Sequence, residues 1–535
     1  MTLNGIFSRK TKGVLIAAGL LALAGLASRL LGFARNALLA YFFGAGDILD
    51  AYFLAFRLPD FFFNLLLFGA FSAGFVPVFI KLKQQDPDHA WQLANDVLNI
   101  ALVIFAVFSA IFFVSAPWAL KLIAPGFGGD KLALAVKLSR IMFLQPVFLG
   151  ISVVLSGILQ STQRFLSYAL APIFYNIGII FGILVLYPHL GVAGLAWGVV
   201  LGAFLHMMIQ YPAAKASGFK YRPVFSLREG ALKRIFKIIV PRSLSMILTQ
   251  LNFVVMAAIA SYLGSGRVAV FNFANDLNGL VLGVVAVPLG VAVFPVLSQF
   301  ASKDRLEELA ETIIKTLRQL LFFMIPATAL FFVLRAQIVR LTLGYGKFDW
   351  SDTVLTINTL ALFLAGLIFQ GVLAIIMRVF FALEDAKTPF WVLFFGILIS
   401  LAVSIFLGPV MDVGALALAI SVGAVFNTVV LAFILEKRLK NLDFSKLLKP
   451  IIFLLISSAL AAASAYGTLY FAVKYLNTHK VLHLIIQGGT AGIVGILVFI
   501  GASLFFGIEE IKQFGSKLKF KGKIALPSLD EETHK

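Results

Sequence analysis

The 535-residue chain contains no cysteine, which excludes disulfides, thiolate nucleophiles and cysteine metal ligands. Charge is scarce as well: Asp, Glu, Lys and Arg together supply 13% of residues, about half the share in a soluble domain. The six histidines (His89, His189, His206, His479, His483 and His534) fall at no metal-binding spacing. A phosphate-cradling glycine loop with its lysine, a nucleophile elbow and a large soluble domain are all missing. These absences argue against an enzyme and give no motif for a cofactor, a metal or ATP-driven pumping. Hydrophobic residues reach 61%, and apolar runs of about 20 residues recur from end to end, each able to cross a ~30 Å hydrocarbon core. The ~10-residue alternating segments of a transmembrane barrel are not found. The expected fold class is therefore an all-α polytopic membrane protein.

Fourteen membrane segments can be counted, from 13–43 to 481–507. Arg9, Lys10 and Lys12 precede an apolar stretch that runs to Phe43 without a clear cleavage site, so this reads as a retained first helix. Connections alternate between Lys/Arg-rich, such as Lys81/Lys83, residues 214–237 and the tail from Lys512, and short ones poor in those residues, such as 44–47 and 188–191. By the positive-inside rule both termini are cytoplasmic, in agreement with an even segment count. The net charge of +19 then reads as anchoring charge facing anionic membrane lipids, with no call for nucleic acid.

Three sequence echoes recur in order at an offset near 220 residues: FFGAG (42–46) with YLGSG (262–266), FVPVF (75–79) with VFPVL (293–297), and AGLAWGVVLGAF (193–204) with VGALALAISVGAVF (413–426). They predict two pseudo-symmetric six-helix lobes, 1–215 and 233–440, joined by a cytoplasmic linker at 216–232. Two further helices occupy 441–509 and a basic tail 510–535. A parallel repeat of this kind places a substrate site between its halves.

Arg29 and Arg35 lie inside the first segment, where each charge costs roughly 2.5–3.5 kcal/mol at helix-centre depth. They are six residues apart, ~9 Å along a helix and ~120° around it, with Gly32 between them to permit a bend. Arg57, Asp60 and Asn64 form a polar stripe around Pro59 in segment two, with Asp50 at its entry. Asn272, Asn275 and Asp276 share a face of segment eight, the counterpart of segment two. Candidate substrate-binding residues are thus Arg29, Arg35, Asp50, Arg57, Asp60, Asn64, Asn272 and Asp276, with the arginines suited to an anion such as a pyrophosphate. Structural alternatives stand beside this: a cap or interfacial role for Asp50, an i,i+3 ion pair between Arg57 and Asp60, and arginines that knit helix one to Asp50 or Asp60. Arg242 and Arg378 read as anchors, and Gln145, Asn176, Gln250, Asn252 and Gln370 as interhelical hydrogen-bonding residues.

The run SRLLGFARNALLAYFFGAGDILDAYFLAFRLPD followed by GAFSAGFVPVF resembles the N-terminal signature of the lipid II flippase (MurJ/MviN) family, part of the multidrug/oligosaccharidyl-lipid/polysaccharide exporter superfamily. Matches continue at RFLSYALAPIFYNIGII (164–180), PRSLSMILTQLN (241–252), GKFDWSDT (346–353) and RVFFALEDAKTPF (378–390), so the resemblance spans essentially the whole chain. It implies two six-helix lobes around a cationic cavity and a lipid-tail groove at the last two helices. The implied cargo is an undecaprenyl-pyrophosphate-linked peptidoglycan precursor, moved to the outer leaflet of the inner membrane by alternating access, in the company of cell-wall synthesis machinery. By position, Arg29 and Arg35 match the family's two helix-one arginines, and Asp50 its acidic residue. The chain departs where the family shows paired arginines and a glutamate, here Phe63, Asn64 and Phe68, and where a cavity arginine becomes Asp276. Segment eleven also lacks the carboxylate of the sodium-site pattern reported for some members. The residues themselves leave open a flippase for another polyprenyl-linked glycan, a non-transporting scaffold, or a cation-coupled drug antiporter.

Overall fold

The computed structural model describes residues 14–67, 70–223, 248, 250–477 and 480–511, with the side chains of 14–18 and 64–73 outside that set. The linker beyond residue 223, Arg242 and the tail from residue 512 lie outside the described residues. Every described element is helical: α1 (Val14–Phe43), α2 (Asp47–Leu67), α3 (Ala70–Gln85), α4 (Pro87–Ile123), α5 (Gly129–Met142), α6 (Gln145–Ser161), α7 (Phe165–Leu190), α8 (Ala193–Ala216), α9 (Gln250–Tyr262), α10 (Arg267–Ser302), α11 (Leu306–Thr342), α12 (Trp350–Ala365), α13 (Leu367–Ala382), α14 (Lys387–Met411), α15 (Val413–Arg438), α16 (Phe444–Val473) and α17 (Val481–Phe505). Among the described residues ten helical runs are long and apolar enough to cross a membrane, or eleven if α12 and α13, bent by 45°, count as one span. Helix occurs in all fourteen expected segments, and the three carried by α1, by α2 with α3, and by α9 stand outside those ten or eleven.

Proline sets the irregularities. Pro188 and Pro288 each follow a wide helical turn, Gly182–Leu186 in α7 and Leu282–Ala286 in α10. A proline supplies no N–H and collides with the carbonyl four residues back, and an i→i+5 turn gives room for both defects. In α4, Pro117 likewise frees the carbonyl of Phe113.

The helices form two compact units. The first comprises residues 1–280, 338–370 and 383–431, and the second 281–337, 371–382 and 432–535. In the first unit Phe75, Phe79, Phe105, Val154 and Leu155 form an apolar core against which Phe63 packs. Also in this unit, α7 and α8 approach backbone to backbone: a methyl group on Gly178 would overlap Gly202, and one on Gly182 would overlap Gly198. This is the small-residue packing that lets helices associate in lipid, where apolar burial offers no drive. α14 and α15 repeat the device, with Gly396 against Asn427 and Gly423 against Ser400. In the second unit α16 and α17 pack Ala465, Leu469 and Ala491 on Leu330, Val333 and Leu334 of α11.

Gly182→Leu should therefore overpack the α7–α8 contact at a cost of ~1–3 kcal/mol and lower the thermal unfolding midpoint of the detergent-purified protein by about one to three degrees. Gly501→Ala, at a position with open space around it, should leave that midpoint unchanged.

Candidate functional site

Two polar clusters stand out in the first unit, and they differ in how they treat charge. At one, Asp50 sits in the first turn of α2 with no exposed surface. Its carboxylate accepts from Lys131 Nζ at 2.6 Å, from the Gly266 N–H at 2.7 Å and from the Ala269 N–H at 2.8 Å. The last two bonds satisfy backbone donors at the start of α10, which an anion stabilises further through the helix dipole. Lys131 also bridges to Asp47 at 2.6 Å.

Neighbouring connections lock into the same end of the helices. The Ala45 N–H donates to Asp352 Oδ2 at 2.9 Å, the Lys347 N–H to the Tyr41 carbonyl at 2.9 Å, and the Gly126 N–H to Ser261 Oγ at 3.0 Å. Arg267 and Asp412 pair at 2.8 Å. Gly266, at φ +79°, admits no side chain, since a methyl there would meet the Ala45 carbonyl. The contacts of Asp50 thus tie it to this closure and not to the arginines.

The second cluster gathers α1, α2, α7 and α10. Arg35 Nε and Nη2 donate to Asn36 Oδ1 at 3.2 and 3.0 Å, and Nη1 to Asn176 Oδ1 at 3.4 Å. Asn176 is fixed in turn by donating to the carbonyls of Ser28 and Pro172. Asn36 Nδ2 donates to Asp276 Oδ2 at 2.9 Å, so one amide links Arg35 to the Asp276 carboxylate. Arg57 donates to Asn272 Oδ1 and lies over the Phe253 ring at 5.7 Å, with Asp60 and Asp276 within electrostatic range. Its Nε is buried without a hydrogen-bond partner, as is the Tyr175 hydroxyl. Arg29 reaches the Leu280 carbonyl at 3.5 Å, a different neighbour from that of Arg35.

Every recorded hydrogen bond of these three guanidiniums therefore ends on a neutral oxygen, whereas Lys131 and Arg267 at the closure are paired with carboxylates. Neutral acceptors orient a guanidinium without cancelling its charge, and that leaves it free to attract an anion. Arg35 and Arg57 share this cluster with Asp60 and Asp276, and Arg29, on the same helix as Arg35, turns to the Leu280 carbonyl.

Of the residues expected at the site, the fold brings Arg35, Arg57, Asp60, Asn272 and Asp276 together, with Arg29 directed to Leu280 and Asp50 to the closure. The side chain of Asn64 lies outside the described residues. Asn176 and Gln370 do bond between helices, the latter accepting from Asn278 at 3.1 Å. Asn36 and Lys131 were not singled out. Asn36 had no signal beyond adjacency to Arg35, while Lys131 was a basic residue in a connection of the Lys/Arg-poor set. Arg378 bonds its own helix at the Ala374 carbonyl and covers Gly290. Among the described residues no group of three or more His, Asp or Glu side chains is placed to hold a metal ion.

Removing the cap should loosen the closure. Asp50→Ala leaves Lys131 with Asp47 alone and the start of α10 uncapped, a loss of ~0.5–2 kcal/mol for the cap itself. A cysteine introduced at the buried Ser261 of this cysteine-free chain should then react several-fold faster with a membrane-impermeant thiol reagent than the same cysteine beside an intact Asp50. Equal rates would show that Asp50 does not restrain this end.

A family model described as lipid II flippase MurJ matches residues 39–487. The lipid II flippase MurJ of Burkholderia cenocepacia is 31% identical over 423 residues, covering 77% of this chain and 82% of its own. A probable lipid II flippase MurJ of Rhizobium tropici is 29% identical over 496 residues, covering 90% of this chain and 91% of its own. Among solved structures, a lipid II flippase MurJ in an inward closed conformation superposes with a TM-score of 0.75 at 24% identity, over 91% of this chain and 98% of that one. An inward-facing MATE-family multidrug transporter of the MOP superfamily gives 0.64 at 16% identity, over 78% and 95%. Both superpositions show a shared helical fold. A family match from α1 into α17, joined to relatives near 30% identity over most of both chains, makes this protein a member of the lipid II flippase MurJ family.

Proposed function

We propose that this chain carries lipid II, the undecaprenyl-pyrophosphate-linked peptidoglycan precursor, from the inner to the outer leaflet of the cytoplasmic membrane by alternating access. The observation that carries this is the set of three helix-borne arginines: guanidiniums inside an apolar chain whose hydrogen bonds run to amide and carbonyl oxygens. A pyrophosphate supplies the anion such a cluster attracts, and Arg57 Nε is a donor with no protein acceptor to displace. The chain is a transporter in this reading and catalyses no bond-making step. Its family membership supplies the cargo class.

With both termini cytoplasmic, the end closed by Asp50 and Lys131 faces away from the cytoplasm, and its ion pairs hold the cluster off from the outer side. Opening that end then requires Lys131 to leave a buried carboxylate, a natural barrier between the two access states. The two sequence halves 1–215 and 233–440 would serve as the moving lobes, with 441–509 receiving the polyprenyl tail. The basic cytoplasmic connections suit anionic lipids, and cell-wall synthesis enzymes are the partners that would consume the delivered precursor. Asp276, tied to Arg35 through Asn36, takes part in holding the cluster together in place of an arginine.

The test is complementation of a strain depleted of its own lipid II flippase. Arg29→Ala and Arg35→Ala should each fail to support growth at normal expression, since losing a charge-assisted hydrogen bond costs roughly ten- to a hundredfold in affinity. Native mass spectrometry of the purified wild type should find lipid II bound. Full complementation by both variants would remove the anion site, and a different polyprenyl-linked glycan in the spectrum would change the cargo while keeping the pyrophosphate contact.

A further inference from the structure

The second opening of interest lies on the surface of the first unit, away from the arginine cluster. It is a groove of about 850 Å³ between α4, α5 and α8, walled by apolar side chains that include Val136, Leu144 and Trp197. Two cations, Lys137 and Arg140, line it. They are three residues apart and share one face of α5, ~12 and ~17 Å from its start at Gly129. Among the described residues neither forms an ion pair. A cation at such depth in a membrane helix is costly and ordinarily marks a partner.

The placement of Arg140 is built into the fold. Pro117 removes the N–H that would bond the Phe113 carbonyl, and Arg140 Nε donates to that freed oxygen at 3.0 Å, with its guanidinium 5.3 Å from the Phe113 ring centre. Its remaining donors carry no recorded protein bond, and Lys137 is exposed beside them. Side chains on a helix lean toward its N-terminus, so both cations reach back toward the Gly129 end of α5.

We propose that this groove is a binding site for an anionic glycerophospholipid, whose phosphate is held by Lys137 and Arg140 and one of whose acyl chains lies along Val136, Leu144 and Trp197. The match is one of charge and shape together: two cations without an ion-pair partner, one helical turn apart on one face of an otherwise apolar trough. A zwitterionic lipid brings an ammonium group that the same two cations repel. The site goes beyond cargo transport, since it takes a membrane component on the outer surface of the helices.

Native mass spectrometry of the full-length chain tests it, with phosphatidylglycerol and phosphatidylcholine offered in equal amounts. The wild type should retain phosphatidylglycerol preferentially. In K137Q/R140Q that preference should fall by about thirtyfold, the product of two basic contacts near a membrane surface. Ala133→Trp, which fills the groove without altering charge, should abolish the retained lipid and so separates this site from the basic loops. If R140Q prevents folding, Lys137→Gln alone, at an exposed position, should still lower the preference about fivefold. Undiminished preference in the charge variants, an unchanged adduct in Ala133→Trp, or equal retention of phosphatidylcholine by the wild type would each overturn the assignment. The readout is lipid retention and is independent of whether the chain flips lipid II.

Discussion

A carboxylate taken wholly out of water must recover its hydration from the protein, and Asp50 does so from three directions. An ammonium group on α5 and two backbone donors at the start of α10 converge on its two oxygens. No one helix offers that set, so the closure exists only when α2, α5 and α10 are assembled. Breaking it exposes an unpaired buried charge, which is why a pair of this kind works better as a latch than as a source of net stability. The other contacts at that end, from Ala45 to Asp352 and from Arg267 to Asp412, are polar bonds between connections that the latch brings within reach.

The arginine cluster follows the opposite logic. Where Lys131 and Arg267 are neutralised by carboxylates, Arg29, Arg35 and Arg57 rest on carbonyl and amide oxygens. A neutral acceptor holds the fork of a guanidinium in place and keeps its field. Phe63 is absorbed into the apolar core of the first unit. Asp276 is bound to Asn36 and so joins the hydrogen-bonded chain that orients Arg35.

Much of the fold could be read from the chain. Helices occur in all fourteen expected segments because hydrocarbon thickness sets their length and hydropathy marks it. What hydropathy does not carry is the division of those helices into compact units. The echoes at an offset near 220 residues divide the chain into halves, whereas its contacts group residues 1–280 with 338–370 and 383–431. Contacts follow which helix ends meet, and those of α9, α10 and α12 meet the first half through single residues such as Ser261, Gly266 and Asp352. The candidate site was partly legible for the same reason. Arg35, Arg57 and Asp276 announce themselves by their cost in an apolar helix, but an asparagine costs less and hides among ordinary helix contacts. Asn36 gains its role only where Arg35 and Asp276 both reach its amide.

The sequence by itself determined that this is a helical membrane protein of a transport family, and that charge inside its helices must have a use. Those conclusions rest on local quantities, the apolar length of a segment and the desolvation cost of a side chain, which any chain reports residue by residue. Only the tertiary structure decided what each charge does. Asp50 became a cap because the start of α10 lies against it, and Arg35 and Arg57 are held by amides because those oxygens meet them first. The pairing of a charge is a property of its neighbours in space, and residues 50 and 266, or 36 and 276, are neighbours only once the helices have packed.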